Sequence, residues 1–133
     1  MNSQPDHSSK APTANLLRIS MFLAGLSGAT GVVCLALSAH SSASPLLETA
    51  AQVLLFHAPA YLGLGVLAQV RRILLLPIAL LLLTSGLCLF CGDLLLRSFA
   101  DVRLFPMAAP TGGFLLILSW LSVALGALRV RPK

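Results

Sequence analysis

The sequence predicts an all-α integral membrane protein. The expected architecture is a four-helix bundle whose successive helices are antiparallel neighbours joined by short loops. Three observations predict it. The chain has 133 residues, 57% of them hydrophobic and 10% charged, whereas a soluble domain carries about 25% charged residues. Residues 73–92, ILLLPIALLLLTSGLCLFCG, form an uncharged run of the roughly 20 residues that span a ~30 Å hydrocarbon core as a helix. The basic residues flank such runs, with Arg71 and Arg72 just before this one, as topology signals do.

Residues 1–15, MNSQPDHSSKAPTAN, are polar. They hold too little apolar surface to offset chain entropy and read as a disordered tail, in which His7 is solvated. The first span is expected at about residues 16–39. Gly25, Gly28 and Gly31 recur in it every three residues, joined by Ala24, Ser27 and Ala29. Small side chains let a neighbouring backbone approach closely, so this reads as a helix-packing face. No strand precedes these glycines and no Lys follows them, so no phosphate-binding loop is implied. Ser–Ala–His–Ser–Ser–Ala at 38–43 resembles a small-residue cleavage site, so a cleaved signal peptide is the alternative; the run exceeds the 7–15 residues of a signal-peptide core, and the expectation is a retained span.

After the polar connector HSSASP, Pro45 suits the first turn of a second span, expected at about 46–70. Glu48 and Gln52 occupy its first turns and His57, Pro59 and Tyr61 its middle. Pro59 removes a backbone hydrogen bond and is expected to kink the helix near His57. Arg71–Arg72 then serves as a two-residue turn into the third span, about 73–95. A connector with Arg97, Asp101, Arg103, Pro106 and Pro110 follows and could hold a short interfacial helix. The fourth span is expected at 111–128. Gly112 and Gly113 add packing positions there, and Trp120 lies mid-span, where it should pack between helices rather than in an interfacial belt.

Lys10, Arg18, Arg71, Arg72, Arg129, Arg131 and Lys133 fall on one side of this arrangement, Arg97 and Arg103 on the other. The positive-inside rule then puts both termini in the cytoplasm, and the expected location is the cell (inner) membrane. The net charge of +5 does not indicate nucleic acid, because no basic stripe with interleaved aromatics exists. The expected partners are the lipid bilayer and other membrane proteins or a second copy.

Candidate functional residues are few. His57 falls near mid-membrane, where an ionisable group is costly and therefore a functional candidate. The alternative for it is a neutral histidine acting as interhelical glue. Asp93 lies near the end of the third span with Arg97 as an i,i+4 partner. His40, at the end of the first span, joins Glu48, Asp93, Arg97, Asp101 and Arg103 at the same face of the membrane. Cys88 and Cys91 share a helix face, but the ligand spacing of a metal site is absent and no metal is expected. No catalytic constellation or cofactor motif is visible. Bis-His haem ligation by His40 and His57 is disfavoured by their difference in depth.

The residues also resemble the small four-span membrane family catalogued as domain of unknown function 423, to which eukaryotic transmembrane protein 256 is related. The resemblance lies in Ala39–His40 ending a Gly-rich first span, Phe56–His57, Leu89–Phe90–Cys91–Gly92, and Ala109–Pro110–Thr111–Gly112–Gly113 followed by Trp120. It covers about residues 16–131. Departures mark a divergent member: Val53–Leu54 stand where Tyr–Gln is usual, residues 35–38 (LALS) where Gly–Ala–Phe–Gly is usual, Asp93 where Ser is commoner and Leu95 where Tyr is common. The resemblance implies a four-helix membrane protein and supplies no activity. The expectation is a non-enzymatic multi-pass protein, a scaffold or accessory to another membrane component; the alternative is a small ion-coupled carrier using His57.

Overall fold

The computed structural model describes residues 12–40, 45–128 and 131–132. They form helices α1 (Pro12–His40), α2 (Pro45–Val70), α3 (Leu76–Ala100) and α4 (Ala108–Ala127). All four are long and apolar enough to cross a membrane. α1 packs on α2, α2 on α3 and α3 on α4, as short connections dictate. The remaining elements are two-residue strands, β1 (Arg71–Arg72) and β2 (Arg131–Pro132), paired antiparallel.

The pairing of β1 with β2 corrects the expectation of a simple turn at Arg71–Arg72. The connector after α2 holds Arg131–Pro132 by backbone hydrogen bonds, which brings Arg71, Arg72 and Arg131 together at one end of the bundle. That end also contains the beginning of α1, since Leu17 and Ser20 lie against Gly65 near the end of α2.

Boundaries shift for local reasons. α1 begins at Pro12, inside the stretch read as a tail; residues 1–11 lie outside the described ones. α3 begins at Leu76 rather than 73, with Pro77 in its first turn, where a missing N–H is harmless. It runs on to Ala100 and stops at Asp101, whose φ of 55° is left-handed, a conformation Asp tolerates. The connector at 101–107 holds turns and no helix, and α4 starts at Ala108, ahead of Pro110. α2 continues through Pro59 to Val70, without the backbone bond that Pro59 cannot donate.

The core lies between α2 and α3. Leu76, Leu80, Leu83, Leu87, Cys91 and Leu94 of α3 are buried, facing Leu54, Tyr61, Leu64 and Ala68 of α2. Their spacing of three and four residues puts them on one face of α3. The opposite faces are equally apolar: Phe22, Phe56, Leu81 and Phe114 are exposed. Lipid is their expected solvent, since a helix apolar all round needs an apolar environment on every side.

The face of α1 that packs on α2 is Ser20, Ala24, Ser27, Gly31 and Cys34, all buried. Of the small residues read as a packing face, Ala24, Ser27 and Gly31 are on it and Gly28 touches Ala58, whereas Gly25 is turned away. A step of three residues turns a helix by about −60°, so six residues carry Gly25 about 120° away from Gly31. A Cβ at Gly25 would meet nothing within 4 Å, one at Gly28 would sit 3.7 Å from the Ala58 Cβ, and one at Gly31 would fall 2.8 Å from Leu55 Cγ. On the other hairpin, Gly112 and Gly86 bring the backbones of α4 and α3 together. A Cβ on Gly112 would overlap the Phe90 nitrogen and lie 2.8 Å from the Gly86 oxygen; one on Gly113 would make an ordinary 3.7 Å contact with the Phe90 ring.

Candidate functional site

His57 sits on the face of α2 that turns toward α4. Its Nδ1 lies 2.7 Å from the Val53 carbonyl one turn earlier. A carbonyl only accepts, so Nδ1 carries the proton. Its Nε2 then accepts the indole N–H of Trp120 at 3.3 Å, with the two rings tilted at 51° and their centroids 6.0 Å apart. Both ring nitrogens are therefore engaged, and together they select one neutral tautomer. A second proton on Nε2 would set two donors against each other and break the bond to Trp120. Trp120 itself is 50% exposed, which corrects the expectation that it packs between helices: its indole N–H bridges α4 to α2 while half of its surface faces outward.

One turn beyond His57, Tyr61 donates to Thr84 Oγ1 at 2.9 Å, and Thr84 donates in turn to the Leu80 carbonyl at 2.8 Å. Ser27 donates to the Leu54 carbonyl across α1 and α2, and Ser119 to the Ala79 carbonyl across α4 and α3. The Cys91 thiol points at the Ala50 carbonyl at 3.8 Å. These ties use small polar groups that find a partner inside the bundle, where lipid offers none. Composition hid them, because Ser and Thr in an apolar run resemble filler. The three- and four-residue spacing of Ser20, Ala24, Ser27, Gly31 and Cys34 was the available signal on α1.

Asp93 belongs to a different place. It is 3% exposed, at the end of α3 away from the β1–β2 ladder. Its Oδ1 accepts the Leu104 backbone N–H at 2.9 Å, so the carboxylate folds the connector at 101–107 back over the helix end. Its Oδ2 lies 3.9 Å from Arg97 Nη1, a long i,i+4 ion pair between a buried carboxylate and a partly exposed guanidinium. Asp93, Arg97 and Arg103 line an open cleft of about 410 Å³ between α3, the connector and the start of α4. The connector enters α4 through Met107, whose φ of 74° is strained for an unbranched apolar residue.

The predicted site residues therefore do not converge. His57 is tied to α4, Asp93 to the connector, and His40 is exposed at the last position of α1. Of the polar residues expected together at one membrane face, Asp93, Arg97 and Arg103 share the cleft; Glu48 instead accepts a hydrogen bond from Gln52. Among the described residues no three His, Cys, Asp or Glu side chains gather to hold a metal ion.

A family model described as "Protein of unknown function (DUF423)" matches residues 27–113. The chain is 28% identical over 123 residues to a protein of Escherichia coli strain K12 named "UPF0382 inner membrane protein YgdD", covering 87% of this chain and 94% of that one. The Shigella flexneri protein of the same name matches to the same extent. No solved structure matches. Phe90, Asp93, Arg97 and Arg103 all fall inside the matched region, as does His57, whereas Trp120 lies beyond its end.

Proposed function

Because the chain belongs to the DUF423 family of proteins of unknown function, we propose a role from its geometry: a non-enzymatic accessory or scaffold protein of the cell (inner) membrane, with both termini cytoplasmic. One observation carries the reading. Both nitrogens of His57 are occupied, by Val53 and Trp120, and this is the arrangement of a structural tie. A carrier using His57 needs that ring free to exchange a proton or a ligand, and a solvated route to it. Neither the outer cleft nor the void of about 20 Å³ near Leu64 and Ile73 is lined by His57.

The orientation is supported by the unequal division of Lys and Arg between the two ends under the positive-inside rule. The β1–β2 ladder adds to it, because it joins two of the basic segments. The relatives named as inner membrane proteins support the compartment.

Flux measurements in liposomes test the reading. Wild type and His57→Gln are reconstituted, and proton and solute movement is followed beside their melting curves. Gln retains a donor and an acceptor, so a structural tie survives it. The expected result is no flux in either protein and similar melting. A wild-type flux lost in a fully folded His57→Gln variant would overturn the proposal in favour of the carrier.

A further inference from the structure

We propose that the cleft between α3, the 101–107 connector and α4 binds the headgroup of an anionic phospholipid. Arg97 and Arg103 are the only basic residues between positions 73 and 128, and both line this cleft. The positive-inside rule leaves that end of the bundle poor in basic charge, so the concentration of both in one cleft calls for an anion. The single carboxylate there, Asp93, is largely spent on the Leu104 N–H and faces Arg97 at 3.9 Å. The lining keeps a net charge of +1. Among the described residues, Arg103 makes no ion pair. A guanidinium presents a planar fork of donors that matches phosphate oxygens.

The remaining lining decides between a lipid and a free phosphate. Phe90, Phe105 and Met107 form an apolar wall beside the two arginines. The volume of about 410 Å³ falls within the roughly 300–1,000 Å³ of small-molecule pockets. A bare phosphate would leave most of that space filled by water against the phenyl rings. A phospholipid places its phosphoryl group on the guanidiniums and the start of its acyl chains along the wall, at the end of α3, where a membrane span meets the interface.

The test uses the full chain, purified in mild detergent and stripped of lipid, then titrated with phosphatidylglycerol, phosphatidylcholine or inorganic phosphate. Native mass spectrometry reads the lipid retained and thermal melting reads the stabilisation. Phosphatidylglycerol should be retained and raise Tm. Arg103→Gln, on the exposed connector, should weaken that binding about tenfold, the order expected for one lost charge-assisted pair. Arg97→Gln should do the same, so a failure of either variant to fold leaves the other to decide. Arg71→Gln, at the opposite end, should bind as wild type does. Unchanged retention by folded Arg103→Gln and Arg97→Gln would overturn the proposal. Equal retention of phosphatidylcholine, or equal stabilisation by inorganic phosphate, would overturn it too, the latter by showing a free-anion site.

Discussion

Gly112→Ala isolates the closest approach between two helices in this bundle. The new methyl would overlap the Phe90 nitrogen and lie 2.8 Å from the Gly86 oxygen and 2.9 Å from the Phe90 Cα. All three are backbone atoms of α3, so no rotamer change relieves them. α4 must move away as a body, by on the order of 0.5–1 Å, which forfeits roughly a quarter to a half of the dispersion energy along the contact. The same shift lengthens the 2.7 Å bond from Ser119 to the Ala79 carbonyl, two turns further along α4. Overpacking of this kind costs about 1–3 kcal/mol, and the better helix propensity of Ala returns at most about 1 kcal/mol. The net expectation is a loss of about 0–2 kcal/mol against wild type, and of about 1–3 kcal/mol against a variant that gains helix propensity alone. Gly25→Ala supplies the control: nothing lies within 4 Å of its Cβ, so only the propensity gain remains. Unfolding of the reconstituted protein in mixed micelles, titrated with SDS, reads both. Equal stability of Gly112→Ala and Gly25→Ala would refute the steric reasoning.

Three further outcomes are expected. His57→Leu should lose about 1 kcal/mol in the same titration, the order measured for hydrogen bonds between membrane helices, while His57→Gln stays near wild type; the reverse order would show that the ring is not a tie. Asp93→Ala should loosen the connector, speed tryptic cleavage at Arg103 and lower stability by about 1–3 kcal/mol, because it removes the carboxylate that accepts the Leu104 N–H. Asp93→Asn keeps an acceptor and should be milder, and equal cleavage of wild type and Asp93→Ala would rule out the fastening role. Compartment-sensitive reporters fused at each terminus and in the 101–107 connector should place the termini in the cytoplasm and the connector outside; an external N-terminus would reverse the orientation.

The parts of this fold legible in the sequence are those governed by the bilayer. Four apolar runs were visible because length and lack of charge are properties of a segment by itself. Helix ends were less legible, since they depend on local geometry: Pro77 sets the start of α3 and Asp101 its left-handed stop. The candidate site divided in the same way. His57 and Asp93 stand out as polar residues in an apolar field, whatever they touch. Their partners did not stand out, because Trp120 lies 63 residues from His57 and Leu104 contributes only a backbone N–H.

Class, number of spans and the division of basic charge were thus determined by the sequence alone, because partition into a membrane is a sum over residues along one segment. The tertiary structure decided which small residues form contacts, that Gly31 and Gly112 pack closely where Gly25 does not, and that the C-terminal tail pairs with Arg71–Arg72. It also decided that His57 is tied down by Trp120 and that Arg97 and Arg103 share a cleft. Those outcomes depend on the rotation of each helix about its own axis, a quantity that an almost uniformly apolar sequence leaves weakly marked. Close packing and a few hydrogen bonds set it instead, because in lipid they replace the hydrophobic effect as the force between helices.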